Sequence, residues 1–559
     1  MKRDLKQLAD NAFDVVVVGG GIYGAAAARE AALQGLRTAL IDKGDFCGAT
    51  SANSLKIIHG GLRYLQQADI VRMRESVIER RTMLRIAPHL VHPLPCMMPT
   101  HGLALKSKPV MSIGMLMNDV ISFDRNVSAD PQKFIPPGKT IPRGECLRLL
   151  PGLAERDVTG AATWHDAYAH NSERLVVEMV LSAAEHGAVV ANYVALTGFL
   201  RNEGRVSGIV ARDVLTGETL DIRAGVVVNN TGPWVNETLS ALGDGAPRVD
   251  THLALGMNFV TTKQVIQDNA VGLESHVDGK PSRLLFFMPW RGKTLAGTYY
   301  RMHEGSPDAL AVTEDDIAEF LAALNAAYPT AELKREDVAL IHAGVLPCRP
   351  PAKPGQEPRL ARHYRLIDHA AQGVEGLVSV LGVKYTTARD VAQRTVAMVC
   401  RKLDRSVKGA GSRSTPLPGG DIKRFDTTLS EALSDAPKCL GAEGVRRFVM
   451  NYGSRYHNVL GTGAEDQDLL LPVATDAAML RCEVVYAVRE EMAQHLTDVV
   501  FRRTDCGSAG LPSDDVLNTC AAVMAAECGW DDARTADELA RVRRACSAWD
   551  GLQVKAAGN

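Results

Sequence analysis

The sequence lacks the features that would place a chain across a membrane, outside the cell or on nucleic acid. No apolar run approaches the ~18 residues of a membrane-spanning helix; the nearest, Val110 to Met117, is too short and is broken by Ser112 and Gly114. Met1 to Asp10 is charged and holds no apolar core, which reads against a secretory signal. The cysteines number eleven, an odd count, and no two stand as C-x-x-C. Neither a disulfide framework nor a zinc site is expected, and no metal ligand is assigned. The formal net charge is −2; with no basic excess, nucleic acid is not an expected partner. Heptads and internal repeats are missing too. These absences point to a cytoplasmic protein, free or peripheral to a membrane.

What is present is an ordinary globular composition, 46% hydrophobic and 23% charged, over 559 residues. That length calls for roughly two to four domains. Phe13 to Val18 is a β-branched run ending in glycines, as in a buried parallel strand. Ile22 to Leu33 is Ala-rich and free of proline, predicting a helix, and Arg37 to Asp42 predicts a second strand. Strand, helix, strand within about thirty residues is a βαβ unit. Ser172 to His186 reads as an amphipathic helix with Leu175, Val176, Met179 and Ala183 on one face. Strands are expected at Val189 to Tyr193, Arg205 to Asp213, Thr219 to Arg223 and Gly225 to Asn230. Helix Glu314 to Ala327 stops before Pro329, and strand Gly376 to Leu381 leads through Gly382 to a helix starting near Thr387. Gly, Ser and Pro concentrate at Lys408 to Gly420, which suits a linker. Phe425 to Trp549 is helical in pattern.

Gly19, Gly21 and Gly24 form G-x-G-x-x-G between the first strand and the first helix. The first glycine allows a tight turn, the second a close approach of the backbone to a pyrophosphate, the third close helix packing. The helix N-terminus offers unpaired N–H groups and a positive dipole end to the phosphates. Asp42 ends the next strand, at a spacing that fits a hydrogen bond to an adenosine ribose. The motif alone does not separate FAD from NAD; the segment after Asp42 does. Gly48-Ala49-Thr50-Ser51 and Asn53-Ser54 bring small hydroxyl and amide groups soon after the acid, a continuation rare in a catalytic NAD domain.

The stretch GATSANSLKIIHGGLRYL, Gly48 to Leu65, resembles the signature of the aerobic, quinone-linked FAD-dependent glycerol-3-phosphate dehydrogenase family, as does ALIDKGDFCGATS before it. Asn230 to Trp234 (NTGPW), Gly382 to Thr387 (GVKYTT) and Glu483 to Thr504 (EVVYAVREEMAQHLTDVVFRRT) match as well, so the resemblance runs from about residue 13 to 505. It implies an α/β fold: a Rossmann-like FAD-binding domain of the glutathione-reductase/D-amino-acid-oxidase type, discontinuous over residues 1–95, 160–250 and 340–407. An α+β substrate domain would be inserted at 96–159 and 251–339, and a helical C-terminal cap would span 421–559. By the same resemblance FAD is held by Gly19, Gly21, Gly24, Asp42, Lys43, Thr50, Ser51, Asn53, Ser54, Gly60, Gly61, Val194, Thr231, Gly232, Gly382, Lys384, Tyr385 and Thr386. The Gly382 to Thr387 turn would bring N–H groups to the flavin end, and Val194 would give a backbone contact to adenine.

His59, Arg63 and Tyr64 face the flavin and the substrate by that resemblance. Removing hydride from a secondary alcohol also requires taking its proton, which a histidine near neutral pKa can do. A guanidinium pairs bidentately with phosphate or carboxylate. A lone histidine or arginine is more often structural; the matching block is what assigns these two. Lys384 falls on a family lysine beside the flavin, where a cation stabilises negative charge on the reduced ring. Arg362 and Tyr364, in LARHYRLID, resemble a substrate-side Arg-Asp-Tyr segment with His363 in place of the acid. Two segments depart from the family. Leu346 stands where Gly-Val-Arg-Pro carries a substrate arginine, with Arg349 three residues later as a candidate replacement, and Gly297-Thr298-Tyr299-Tyr300 replaces Gly-Thr-Thr-Asp.

The expected reaction is oxidation of sn-glycerol 3-phosphate to dihydroxyacetone phosphate, with electrons passed to a quinone at the cytoplasmic face of the inner membrane. The two departures keep open a different alcohol, an amine or a hydroxy acid as substrate on the same fold. A third alternative, a flavin-binding protein with a decayed site, is opposed by the retention of His59, Arg63 and Lys384. Quinone or oxygen as acceptor, covalent or non-covalent FAD, and the oligomeric state, a homodimer included, stay open at this level.

Overall fold

The computed structural model describes residues 1–102, 106–127, 130–154, 156–278, 281–352, 356–409, 411–475 and 477–547. Its first sheet grows around the FDVVVV run. Strand Ala12–Val18 is buried at every position but the first, as β-branched residues require where helices cover both faces. It pairs in parallel with Thr38–Ile41 on one side and Thr219–Asn229 on the other. The order is Arg365–Asp368, Leu377–Leu381, Thr219–Asn229, Ala12–Val18, Thr38–Ile41, Val189–Ala191. A hairpin of Val194–Asn202 and Arg205–Asp213 adds to Thr219–Asn229. The two strands expected on either side of Ala224 are therefore one. Gly225 does not break it: the space a Cβ would take lies 2.8 Å from Leu403 Cδ2, so glycine serves close packing rather than a turn.

Helix Ile22–Leu33, with Ala25, Ala26, Ala27, Ala28 and Ala31 all essentially inaccessible, packs against helices Ser172–Glu185 and Ala388–Lys402 and against the sheet. Small side chains let the three axes approach closely. Ser172–Glu185 is not the one-sided helix its pattern predicts, since Ser172 through Ala183 are all buried. Its polar face meets the C-terminal helical region, where Arg174 pairs with Glu491 at 2.7 Å. The expected linker is also packed. Ser412 and Leu417 are buried, and the buried Arg29 guanidinium donates to the carbonyls of Ser412 and Thr415. Composition flags the missing secondary structure but not the arginine that receives the strap.

The second sheet is antiparallel except where Ala270–Ser275 meets Val91–Thr100. Its order is Arg359–Leu360, Val338–Arg349, His252–Thr261, Lys293–His303, Arg283–Trp290, Ala270–Ser275, Val91–Thr100, Gly160–Ala169, Ile57–Ile58, with Lys139–Pro142 added at Gly160–Ala169. It takes segments from both sides of the boundaries expected at 95, 160 and 340, because pairing and not composition decides sheet membership. Strand alternation separates its faces. Leu255, Met257, Phe259 and Tyr299 enter a core closed by helix Glu314–Ala327, while Gly256, Asn258, Thr298 and Tyr300 turn to a cavity. The C-terminal region is helical, with Phe425–Asp435, Gly441–Tyr452, Arg481–Arg489, Asp514–Cys528 and Asp532–Ser547 its longer elements.

Candidate active site

A cavity of about 2080 Å³ is lined by residues of both sheets. The turn after Ala12–Val18 forms part of it. Gly19 has φ +103°, and a Cβ there would meet Asn230 O at 2.6 Å; a Cβ on Gly24 would stand 1.7 Å from Gly19 O. The chain itself demands these two glycines. Gly21 differs: its φ is −71°, and an added Cβ would meet only Ser51, its hydroxyl at 3.0 Å. Gly21 lines the cavity at the N-terminus of Ile22–Leu33, so the missing side chain leaves room for a ligand rather than for protein.

The polar groups around this turn fit a dinucleotide. Asp42 accepts from Gly20 N–H at 2.6 Å and from Gly44 N–H at 2.8 Å, yet burial pushes its carboxyl up to about 6. A ribose hydroxyl could donate to its remaining lone pairs. Both side-chain polar atoms of Asn230 are buried in the cavity wall without a partner, a costly state that a hydroxyl-bearing ligand relieves. Helix N-terminal amides and the dipole suit the pyrophosphate. All the predicted cofactor residues line the cavity except Gly24, Gly60 and Val194. Val194 N–H donates to Asp42 O at 2.7 Å, and its neighbours Tyr193 and Ala195 do line it. Lys43 also pairs with Asp308 at 2.7 Å.

His59, Arg63, Tyr64 and Lys384 come together elsewhere in the same lining. Gly60 and Gly61 explain why the histidine is followed by two glycines. A Cβ on Gly60 would lie 2.4 Å from Arg80 Nη1, and Gly61 has φ +81°, the left-handed conformation that starts the short helix Leu62–Leu65. That helix carries Arg63 and Tyr64 toward the cavity. Tyr23 fixes the opposing loop: its hydroxyl donates to Lys384 O at 3.0 Å and accepts from Lys384 N–H at 3.2 Å. Lys384 Nζ sits 4.2 Å from the Tyr64 ring centre. Burial, then Arg72, lowers the Lys384 pKa to about 8. Burial pushes His59 down to about 4, opposed by Asp166 and reinforced by Lys384, Arg80 and Arg63. His59 Nδ1 is buried without a partner. The arrangement is a neutral imidazole among cations, able to accept a proton and to bind an anion.

On the substrate side Leu346, Tyr300 and Arg362 line the cavity, whereas Arg349 and Tyr364 do not. Arg349 ends strand Val338–Arg349 exposed; an offset of three along a strand turns a side chain to the opposite face, so it does not reach the space left by Leu346. Two residues with no motif to announce them, Arg283 and Glu357, line this part and pair at 2.9 Å. Arg502 is another. Against burial, which would raise it, Arg503 and Arg502 pull the Asp45 carboxyl well below its ordinary range, at 2.7 and 2.5 Å. The C-terminal region thus grips the loop after Asp42.

A further wall is apolar, with Leu55, Met98, Met111, Met115, Leu284 and Phe286. Met111 and Met115 come from helix Lys108–Ile121, which also carries Ile113, Leu116 and Val120 at 60%, 65% and 66% exposure. Phe123, just beyond it, is 79% exposed. Among the described residues no helix is long and apolar enough to cross a membrane, and no group of three or more His, Cys, Asp or Glu could hold a metal ion.

The profile of the FAD dependent oxidoreductase family matches residues 14–415, and that of the C-terminal domain of alpha-glycerophosphate oxidase matches residues 411–535. The glycerol-3-phosphate dehydrogenase of Synechocystis sp. is 32% identical over 545 residues, which is 94% of this chain and 95% of that protein. Glycerol-3-phosphate dehydrogenase 2 of Mycobacterium tuberculosis is 31% identical, covering 96% and 89%. Among solved structures, the glycerol-3-phosphate dehydrogenase from Bacillus halodurans complexed with FAD matches over 98% of both chains, with a TM-score of 0.77 at 25% identity.

Proposed function

The chain belongs to the FAD dependent oxidoreductase family, and from that premise we propose that it oxidises sn-glycerol 3-phosphate to dihydroxyacetone phosphate and passes the electrons to a quinone. The cofactor is FAD, which when bound supplies the ring that takes up the hydride. His59, buried and neutral, takes the proton of the substrate hydroxyl. Arg63 pairs with the phosphate. Lys384 sets a positive charge where negative charge accumulates on reduction. Tyr23, by holding both polar groups of the Lys384 peptide, keeps that charge in place. The observation that carries the reading is the meeting of His59, Arg63 and Lys384 in one cavity with the dinucleotide turn.

The quinone and a peripheral membrane contact are supported by helix Lys108–Ile121. The helix lines the cavity through Met111, Ile113 and Met115, and Leu116, Val120 and Phe123 are exposed beside it, an apolar patch of the kind that marks a membrane or partner contact. An apolar acceptor held in the bilayer would meet the cavity there. Leu346 and Glu357 favour a second reading, in which the same chemistry acts on a substrate other than a phosphate monoester. A carboxylate in the substrate wall repels a phosphate dianion unless Arg283 keeps it paired. The test is turnover of the holoenzyme with glycerol 3-phosphate and a water-soluble quinone. One dihydroxyacetone phosphate per quinone reduced is expected; no product, alongside product from another alcohol or amine, selects the second reading.

A further inference from the structure

We propose that Asp166, with Arg80 as its counter-charge, is the positioning residue for His59. The inference rests on the reading of His59 as the group that takes the substrate proton. Strand Ile57–Ile58 pairs antiparallel with Gly160–Ala169, Ile57 opposite Tyr168 and Ile58 opposite Ala167. Continuing that register brings the His59–Gly60 peptide out beside Asp166. The Asp166 carboxylate there accepts from Gly60 N–H at 2.5 Å, from Arg80 Nη1 at 2.8 Å and from Trp164 Nε1 at 3.0 Å. Arg80 is fixed in turn by the His165 carbonyl at 2.8 Å. Its guanidinium occupies the space a Cβ on Gly60 would need. Asp166 lines the cavity yet is only 7% exposed.

A structural anchor for the turn could have been any hydrogen-bond acceptor; a buried carboxylate here does more. Arg63 comes to His59 from the short helix Leu62–Leu65, Lys384 from the loop before Ala388–Lys402, and Arg80 from helix Ile70–Ile86. All three cations lower the affinity of His59 for a proton, as burial does, and Asp166 is the group that opposes them. Without this anion the imidazole would be a weaker base among the cations that the phosphate and the reduced cofactor call for. Asp166 thus allows a proton acceptor and an anion site to share one cavity. Arg80, paired with the carboxylate at 2.8 Å, keeps it aimed at the peptide that carries the histidine.

The test uses holoenzyme and anaerobic stopped-flow flavin reduction by glycerol 3-phosphate across pH, in the parent, Asp166→Asn, Arg80→Gln and His59→Asn. In the parent the rate falls at low pH as His59 protonates. Asp166→Asn, nearly isosteric, is expected to move that acid limb down by about one unit and to lower the plateau about threefold as the base weakens. Arg80→Gln is expected to move the limb up. Shifts of opposite sign are a signature that loss of an anchor does not produce. Limbs coinciding with the parent, or moving in the same direction, overturn the proposal. If Asp166→Asn holds no flavin, Arg80→Gln decides alone: an upward shift supports the proposal and an unmoved limb overturns it. His59→Asn reducing its flavin as fast as the parent would instead remove the reading on which the proposal rests.

Discussion

Gly21→Ala and Gly24→Ala separate what the chain demands from what the cofactor demands. On Gly24 the new Cβ would stand 1.7 Å from Gly19 O, a backbone atom, so helix and turn must part by about 1.3 Å to reach the 3.0 Å that real Cβ contacts keep. Overpacking of this kind costs ~1–3 kcal/mol, and it does so with or without FAD. On Gly21 the Cβ meets only Ser51, its hydroxyl at 3.0 Å, and φ −71° suits alanine, so the N-cap preference for glycine, about 1 kcal/mol, is largely offset by the ~0.4–1 kcal/mol that alanine gains by restricting the unfolded chain, and the apoprotein should lose less than about 1 kcal/mol. The methyl group would nevertheless stand in the space the pyrophosphate needs. Losing even two charge-assisted hydrogen bonds at about 1.5–3 kcal/mol each weakens FAD binding by at least about a hundredfold. Denaturant midpoints of the apoproteins, together with FAD titrations, read the two effects apart. Parental FAD affinity in Gly21→Ala, or an apoprotein as unstable as Gly24→Ala, would refute the reasoning.

His59→Asn should keep its FAD while reducing it about a hundredfold more slowly, the usual loss when a general base is removed; single-turnover rates check this. Lys384, lowered to about 8 by burial, should lose its charge as pH rises through that value, so flavin reduction falls there and Lys384→Met lacks this basic limb. The sign for stability is the reverse: with the folded pKa below the ordinary 10.5, the folded protein binds fewer protons than the unfolded chain between about 8 and 10.5. Stability from this group therefore rises with pH across that window, as pH-dependent unfolding would record. Leu116→Glu should cut sedimentation with anionic lipid vesicles and leave turnover with a water-soluble quinone unchanged; undiminished vesicle binding counts against the helix as the lipid contact.

Local chemistry was legible in the sequence, and long-range pairing was not. The βαβ unit and its glycine turn could be read because they need only a β-branched run, an Ala-rich helix and glycines at fixed spacing, all within one short segment. The HGGLRYL block located His59, Arg63 and Tyr64, but the reason for Gly60 lies with Arg80, on another element. The carboxylate under Gly60 is 106 residues away, and Asp45 is held by an arginine 458 residues on. No periodicity signals either pair. The polar face of Ser172–Glu185 looked like a solvent face because charged residues usually are; burial against Glu491 required the C-terminal helices in place. Arg349, three residues from Leu346, matches the missing arginine in type, but strand alternation puts it on the other face.

The central claim is that this cavity takes a proton and a hydride from glycerol 3-phosphate, and anaerobic flavin reduction tests it most directly. The account predicts that the yellow holoenzyme bleaches on mixing with glycerol 3-phosphate. Leu346→Arg, which adds about 1.5–3 kcal/mol of charge-assisted contact where the wall is now apolar, should bleach at about ten- to a hundredfold lower substrate concentration. Absence of bleaching in both proteins at about tens of millimolar glycerol 3-phosphate, well above the usual range of KM, would contradict it.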